Sequence, residues 1–233
     1  MSLIRTPLAV GRPNPKHWKD CVTFIGSISK RNGIKLVPFD LTEWGRGAES
    51  TLIQSNISSR HPRMEARDLA LLTDHVWEIL RSIDPGDFDC SFFKMAFDIR
   101  QKHSPFMTFG RTQKFINMLC KYAYCFYWGG VDARWNAHNT WVESLSPYFH
   151  IPVDSVVLFN LRTESPAWFE RLITTPTVVN GRKYARFRHG NRAIGWSGLD
   201  RVYPYLAVQQ YVIDNLRDSV SPMHREIRGL WVQ

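Results

Sequence analysis

Phe109-Gly110-Arg111-Thr112-Gln113-Lys114-Phe115-Ile116-Asn117-Met118-Leu119-Cys120-Lys121-Tyr122-Ala123-Tyr124-Cys125-Phe126-Tyr127 decides the fold class. Phe115, Met118 or Leu119, Tyr122 and Phe126 recur at three- to four-residue intervals, the period of one helix face. Arg111, Lys114 and Lys121 fall on another face, with Gln113 and Asn117 alongside. Gly129-Gly130 closes the run. The spacing predicts a helix over 108–127 that presents a basic face. A glycine at its start leaves backbone N–H groups open to an anion such as phosphate. The plain alternative is a surface helix with a solvated basic side.

Helical periodicity continues outward on both sides. Ser59 to Asp84 carries Met64, Leu69, Leu72, Val76, Ile79, Leu80 and Ile83, with Pro62 suited to a first turn and Pro85-Gly86 as a stop. Asp89 is placed to cap a helix running to about His103. His17 to Lys30 reads as another helix, after an irregular proline-containing arm over 1–16. Residues 34–60 read as loop with short helical pieces. Downstream, helices are expected over 134–146, from Pro152 to about Arg162, briefly from Pro166, over 201–217, and briefly after Ser221. Val178-Val179-Asn180-Gly181-Arg182-Lys183-Tyr184 is a hairpin signal. The expected fold is mainly α, a helical bundle with one small β-hairpin. Residues 1–60 form an arm and irregular region packed on a helical catalytic region, 61–233.

Thirty Lys and Arg against 21 Asp and Glu give a net charge of +9, and hydrophobic residues make up 44%. That composition buries a core and excludes a disordered chain, while the charge favours a polyanionic partner. Cys21, Cys90, Cys120 and Cys125 form no C-x-x-C pair, so neither a zinc site nor a disulfide framework is expected. No signal peptide and no membrane span are expected, and a reducing cytoplasm is the expected location.

Pro152-Val153-Asp154-Ser155-Val156-Val157 sets one carboxylate at a helix start among apolar residues. Aspartate there ordinarily caps the helix. If it projects into a cleft instead, burial raises its pKa while the helix N-terminus favours its ionised form. The segment resembles the Pro-Val-Asp-Thr-His-Val stretch of helix-hairpin-helix DNA glycosylases. Phe109-Gly110-Arg111-Thr112-Gln113-Lys114 is similar to that family's glycine turn and following helix, and the order of the two motifs matches. The likeness covers about residues 104–160.

The resemblance implies that Asp154 is catalytic, that Gly110, Arg111 and Thr112 form a phosphate-gripping turn, and that Gln113 and Lys114 lie beside it. One glycine stands where the family has two, and 44 residues separate Gly110 from Asp154. The family's lyase lysine falls at Thr112 or Gln113, with Lys114 displaced, so a monofunctional enzyme is expected. Bacterial antiphage members that remove bulky modified bases are one version of the family this chain resembles.

Gly181 to Arg192 holds Arg182, Lys183, Arg186, Arg188 and Arg192, with no acid between Glu170 and Asp200. In a strand, Arg182, Tyr184, Arg186 and Arg188 share a face suited to phosphate. Charged residues of this kind also protect an exposed strand edge. Tyr127, Trp128 and Trp196 are candidates to stack on a base flipped from the duplex. Ser197 and Asp200 suit a helix cap, and His138 and His150 are further acid–base candidates. The expectation is a monomeric glycosylase acting on double-stranded DNA without metal or cofactor. A non-catalytic nucleic-acid-binding module and a nuclease or nucleotide-modifying enzyme are the alternatives.

Overall fold

The computed structural model describes residues 18–32, 37–53, 64–103, 107–174, 177–179, 182–184, 202–216 and 221–228. Within them the chain is mainly helical. In chain order the helices are α1 (Trp18–Asn32), α2 (Leu41–Ile53), α3 (Ala66–Ser82), α4 (Phe88–His103), α5 (Phe109–Gly129), α6 (Ala133–His138), α7 (Trp141–Leu145), α8 (Ser155–Glu164), α9 (Pro166–Thr174), α10 (Val202–Asp214) and α11 (Pro222–Arg228). Two short strands, β1 (Thr177–Val179) and β2 (Arg182–Tyr184), pair antiparallel with Val178 opposite Lys183. The Asn180-Gly181 turn and the Ser197 to Asp200 cap signal lie outside the described residues. No described helix is long and apolar enough to cross a membrane.

The expected basic surface helix is instead the axis of the molecule. Every residue of α5 from Phe109 to Phe126 is buried. Helices α1, α2, α4, α6 and α7 pack against it, and α3 closes over α2 and α4. A helix wrapped on all sides normally carries apolar residues all round. Here most of the circumference does, but Arg111, Thr112, Gln113, Lys114, Asn117 and Lys121 are buried with the rest. The correction has a physical reason: the Thr112, Gln113, Lys114, Asn117 and Lys121 side chains meet protein partners, described below, in place of water.

Aromatic packing fixes the helices to one another. Trp44 of α2 stacks on Trp135 of α6 at 5.5 Å and meets Trp77 of α3 edge-on at 5.0 Å, with Phe126 of α5 at 4.8 Å. Such pairs contribute roughly 0.5–1.5 kcal/mol each beyond their buried area. At the other end, Phe92 of α4 stacks on Tyr205 of α10 with centroids 5.8 Å apart.

Two expectations failed for local reasons. Residues 41–53 form a full helix where Gly45, Gly47 and the serines suggested loop. Asp40 Oδ1 accepts a hydrogen bond from Glu43 N at 3.0 Å, a cap the loop reading overlooked. Gly45 is there because α3 leaves no room: a Cβ would lie 2.3 Å from Thr73 Oγ1 and 3.2 Å from Leu69 Cγ. The helix expected over 134–146 is split into α6 and α7 at Asn139. Its side chain donates to Trp135 O at 2.8 Å and accepts from Trp141 Nε1 at 3.1 Å, holding the break. By contrast α4 and α5 fall where their periodicity placed them, and Gly130, at φ 59°, ends α5 in the left-handed conformation that glycine allows.

Replacing Gly45 with alanine sets a helix-propensity gain of about 1 kcal/mol against overpacking of about 1–3 kcal/mol. Thr73 Oγ1 is held to Leu69 O at 2.7 Å and cannot swing aside without losing that bond. Gly45→Ala is therefore expected to lower the urea midpoint at unchanged m-value. Gly45→Ala/Thr73→Ala is expected to recover part of the loss.

Candidate functional site

The stretch from His150 to Asp154 runs extended across α5, and side-chain amides hold it there. Gln113 Nε2 donates to Val153 O at 2.8 Å, and Gln113 Oε1 accepts from Val153 N at 3.2 Å. Gln209 of α10 makes the same pair of bonds to Ile151, at 2.9 and 3.0 Å. Asn117 Nδ2 donates to Ile151 O at 3.1 Å and to Tyr205 Oη at 2.9 Å. These amides supply the backbone bonds that a neighbouring strand would provide. They also correct the expectation that Pro152 opens α8: Ile151, Pro152 and Val153 are held extended, and the helix starts at Ser155.

Asp154 follows the last gripped residue and is the N-cap of α8. Its Oδ1 accepts from Val156 N and Val157 N, both at 3.0 Å. Its Oδ2 lies 3.3 Å from Lys114 Nζ, which also donates to Thr51 O at 3.0 Å. The Asp154 side chain is 23% exposed and that of Lys114 is 8% exposed, so the carboxylate is the approachable member of the pair. Burial pushes the Lys114 amine below the ordinary lysine value, and the Asp154 carboxylate pulls it part of the way back.

A second pair lies two turns further along the same face of α5. Lys121 forms an ion pair with Glu226 of α11. Burial raises the Glu226 carboxyl above its usual range, and Lys121 opposes that rise. Arg225, fully buried, places Nη2 2.6 Å from both carboxylate oxygens of Glu164 at the end of α8. His150 bridges Asp89 Oδ1 at 3.0 Å and Tyr205 Oη at 2.8 Å. Asp89 is thus inside the first turn of α4, bonded to His150, rather than ahead of the helix as its cap.

Lys114 and Asp154 are brought together, although the sequence set Lys114 aside as displaced. Gly110 makes no turn: it is the second residue of α5 and is buried. Thr108 Oγ1 caps Arg111 N at 3.3 Å, and Thr112 Oγ1 donates to Thr108 O at 3.0 Å. The N-terminal groups expected to grip phosphate are therefore turned to the chain's own residues, and Gly110, Arg111, Thr112 and Gln113 do not present an open face.

Tyr127 and Trp128 stand at the far end of α5. Tyr127 Oη donates to Glu143 Oε2 at 2.9 Å, and Trp128 Nε1 donates to Ser146 Oγ at 3.3 Å. Thirteen residues of helix separate Tyr127 from Lys114, a rise of about 20 Å. They cannot share a pocket with Asp154. Arg182 and Lys183 lie on β2, while Arg186, Arg188, Arg192 and Trp196 lie outside the described residues. His138 Nδ1 lies 2.7 Å from Arg134 O on the exposed end of α6.

The sequence reading did not anticipate the amide cradle, the Glu226 and Arg225 pairs, or a cavity of about 290 Å³ between α3 and α4. Asp68, His75, Lys102 and His103 line that cavity over Leu72 and Ile99. A signal for the cradle existed: Gln113 and Asn117 are four apart, on one side of the helix. Among the described residues no group of three His, Cys, Asp or Glu side chains is arranged to hold a metal ion. No protein-family model, curated protein or solved structure matches the chain.

An unsatisfied buried backbone group costs about 1–3 kcal/mol. Gln209→Leu strips Ile151 N of its partner and is expected to cost about that much by chemical denaturation, while Gln113→Leu strips both groups of Val153 and is expected to cost roughly twice as much. For the Arg225–Glu164 ion pair, Arg225→Met alone leaves Glu164 buried and uncompensated, an expected loss of about 3–5 kcal/mol. Glu164→Leu/Arg225→Met is expected to restore most of it.

Proposed function

We propose that the protein is a monofunctional DNA glycosylase of helix-hairpin-helix type, with Asp154 as its catalytic carboxylate. The observation that carries this reading is the ion pair of Asp154 with Lys114 at the start of α8, 3.3 Å apart, in which the carboxylate is the more exposed member. The net charge of +9 supports a nucleic-acid substrate. Residues Arg182, Lys183, Arg186, Arg188 and Arg192 are the proposed phosphate contacts, and the enzyme acts as a monomer in the cytoplasm on a modified or damaged base in double-stranded DNA.

In the proposed reaction the C1′–N bond of a flipped nucleotide breaks and its electron pair leaves with the base. Positive charge develops on the sugar, and a fixed carboxylate stabilises it. Water then adds at C1′, its proton passes to Asp154, and an abasic site remains. The base takes its proton from solvent. Lys114 serves as a positioning cation: its ammonium is bonded to Thr51 O and holds the Oδ2 side of the carboxylate.

A second reading has its own observation. Both oxygens of Asp154 already have partners, two cap N–H groups and an ammonium, as a purely structural residue would. The chain would then bind nucleic acid without chemistry.

Asp154→Asn separates the two, because asparagine caps a helix as well as aspartate and alters chiefly the charge. Base release from damaged or glucosylated-hydroxymethylcytosine duplexes, read as strand cleavage in hot alkali, is expected to fall at least about 100-fold. Binding of the same duplexes is expected to persist. Full activity in the variant sinks the assignment of Asp154. Tight binding by wild type with no base released favours the second reading. Borohydride is expected to trap no protein–DNA adduct; an adduct that disappears in Lys114→Gln would make Lys114 a nucleophile and the enzyme a lyase.

A further inference from the structure

A tight turn at Pro85–Asp87 joins α3 to α4, with Asp84 Oδ1 accepting from Gly86 N at 2.7 Å. Away from that turn, a cavity of about 290 Å³ lies between the two helices. Asp68, Leu72 and His75 recur at intervals of four and three residues and so share one face of α3; Ile99, Lys102 and His103 share one face of α4. Leu72 and Ile99 are buried and form an apolar floor. Asp68 and Lys102 are exposed, and both histidines are half-buried.

Helix ends account for part of this set. Asp68 lies in the first turn of α3, and Lys102 and His103 lie in the last turn of α4, where such charges complement the helix dipoles. His75 has no such reason to be there. It stands in the middle of α3, and its Nε2 is buried with no hydrogen-bond partner among the described residues, whereas a buried polar nitrogen ordinarily has one. An apolar floor with a few polar groups converging on it is the arrangement of a small-molecule site.

We propose that the cavity between α3 and α4 binds a small organic monocarboxylate whose apolar body is about the size of one aromatic ring. The volume fits: an apolar cavity of about 150 Å³ holds benzene, which leaves about as much again for a carboxylate and its donors. The ring lies over Leu72 and Ile99, and Lys102, His103 and His75 donate to the carboxylate. Asp68 offsets the charge of Lys102 and so sets the valence of the ligand. Removing an ion from water costs in proportion to the square of its charge, while its attraction to the site grows only in proportion to the charge. With so little excess positive charge, the site takes a monoanion in preference to a phosphate ester. An imidazolium donates from two nitrogens and a neutral imidazole from one, so binding tightens as histidine gains its proton. The proposal stands apart from the nucleic-acid reading.

The test titrates phenylacetate into the full chain and follows the backbone amide signals by NMR, with benzyl alcohol as the neutral ring and phenyl phosphate as the dianion. Shifts are expected at residues 68–75 and 99–103, with a Kd of about 1 mM, the scale for a ligand of about ten non-hydrogen atoms. Affinity is expected to be at least about 3-fold higher near pH 6 than near pH 8. Lys102→Met is expected to weaken binding at least about 10-fold, and His75→Leu to reduce its pH dependence. Asp68→Asn is expected to tighten it about 2- to 5-fold. Lys94→Met, at an exposed position elsewhere on α4, is expected to change nothing.

Absence of saturable binding below about 10 mM overturns the proposal, as does an affinity unchanged in Lys102→Met or equalled by benzyl alcohol. Tighter binding of phenyl phosphate than of phenylacetate overturns the monocarboxylate assignment. Each of these outcomes leaves base release by Asp154 to be decided by its own assay.

Discussion

A central helix that carries two amides and two lysines into the core constrains everything packed around it. Each polar group removed from water without a partner costs about 1–3 kcal/mol, and an unpaired buried charge costs more. The surroundings of α5 answer that cost for both ends of the Gln113 amide, for Asn117 Nδ2 and for the two lysines. Gln113 and Asn117 take the backbone of Ile151 and Val153, which lies extended instead of helical as a result. Tyr205 and Gln209 bring α10 to the same stretch. Lys121 takes Glu226 and so seats α11. The apolar remainder of α5 supplies the attraction, and the polar stripe decides which segments dock and in what register.

The same constraint positions the carboxylate. Val153 is gripped through both its N–H and its carbonyl, so Asp154 starts from a fixed point with no loop to absorb error. One residue later the helix begins, and two of its N–H groups lock Oδ1. Lys114, one residue after Gln113 on α5, then meets Oδ2. The cradle and the ion pair are therefore a single construction: the amide that reads the backbone and the ammonium that meets the side chain are neighbours in sequence. At the other end of α8, Arg225 clasps Glu164, so the helix is held at both termini, with Val157, Leu158 and Leu161 buried between them and Val156 and Phe159 exposed.

Much of this helical framework was legible because periodicity and punctuation are local. The limits of α4 and α5 follow from Phe92, Ile99, Phe115 and Phe126 and from the Pro and Gly stops around them. Gly45 misled because the sequence does not distinguish a glycine that breaks a helix from one that lets two helices touch; Leu69 and Thr73 on α3 make the difference. The stripe Lys114, Asn117 and Lys121 was visible, but its partners stand far along the chain. Asp154 is 40 residues from Lys114 and Glu226 is 105 from Lys121, and nothing local tells a solvated lysine from one destined for a distant carboxylate. Asp154 itself was legible as a cap, because an aspartate at a helix start is a local signal. The error over Tyr127 and Trp128 was one of length: they were grouped by chemistry, and the rise of α5 separates them from the carboxylate.

Capping and catalysis are often treated as rival roles for an aspartate, and at Asp154 they need not conflict. Stabilising charge on a sugar requires a carboxylate that is fixed and approachable; freedom from partners would only let it move. Oδ1 takes two cap N–H groups of α8 and Oδ2 meets the Lys114 ammonium, and the side chain still keeps 23% of its surface exposed. In the proposed reaction that rigidity is what lets a single carboxylate serve, because its position is set by two cap N–H groups and an ammonium and not by a loop.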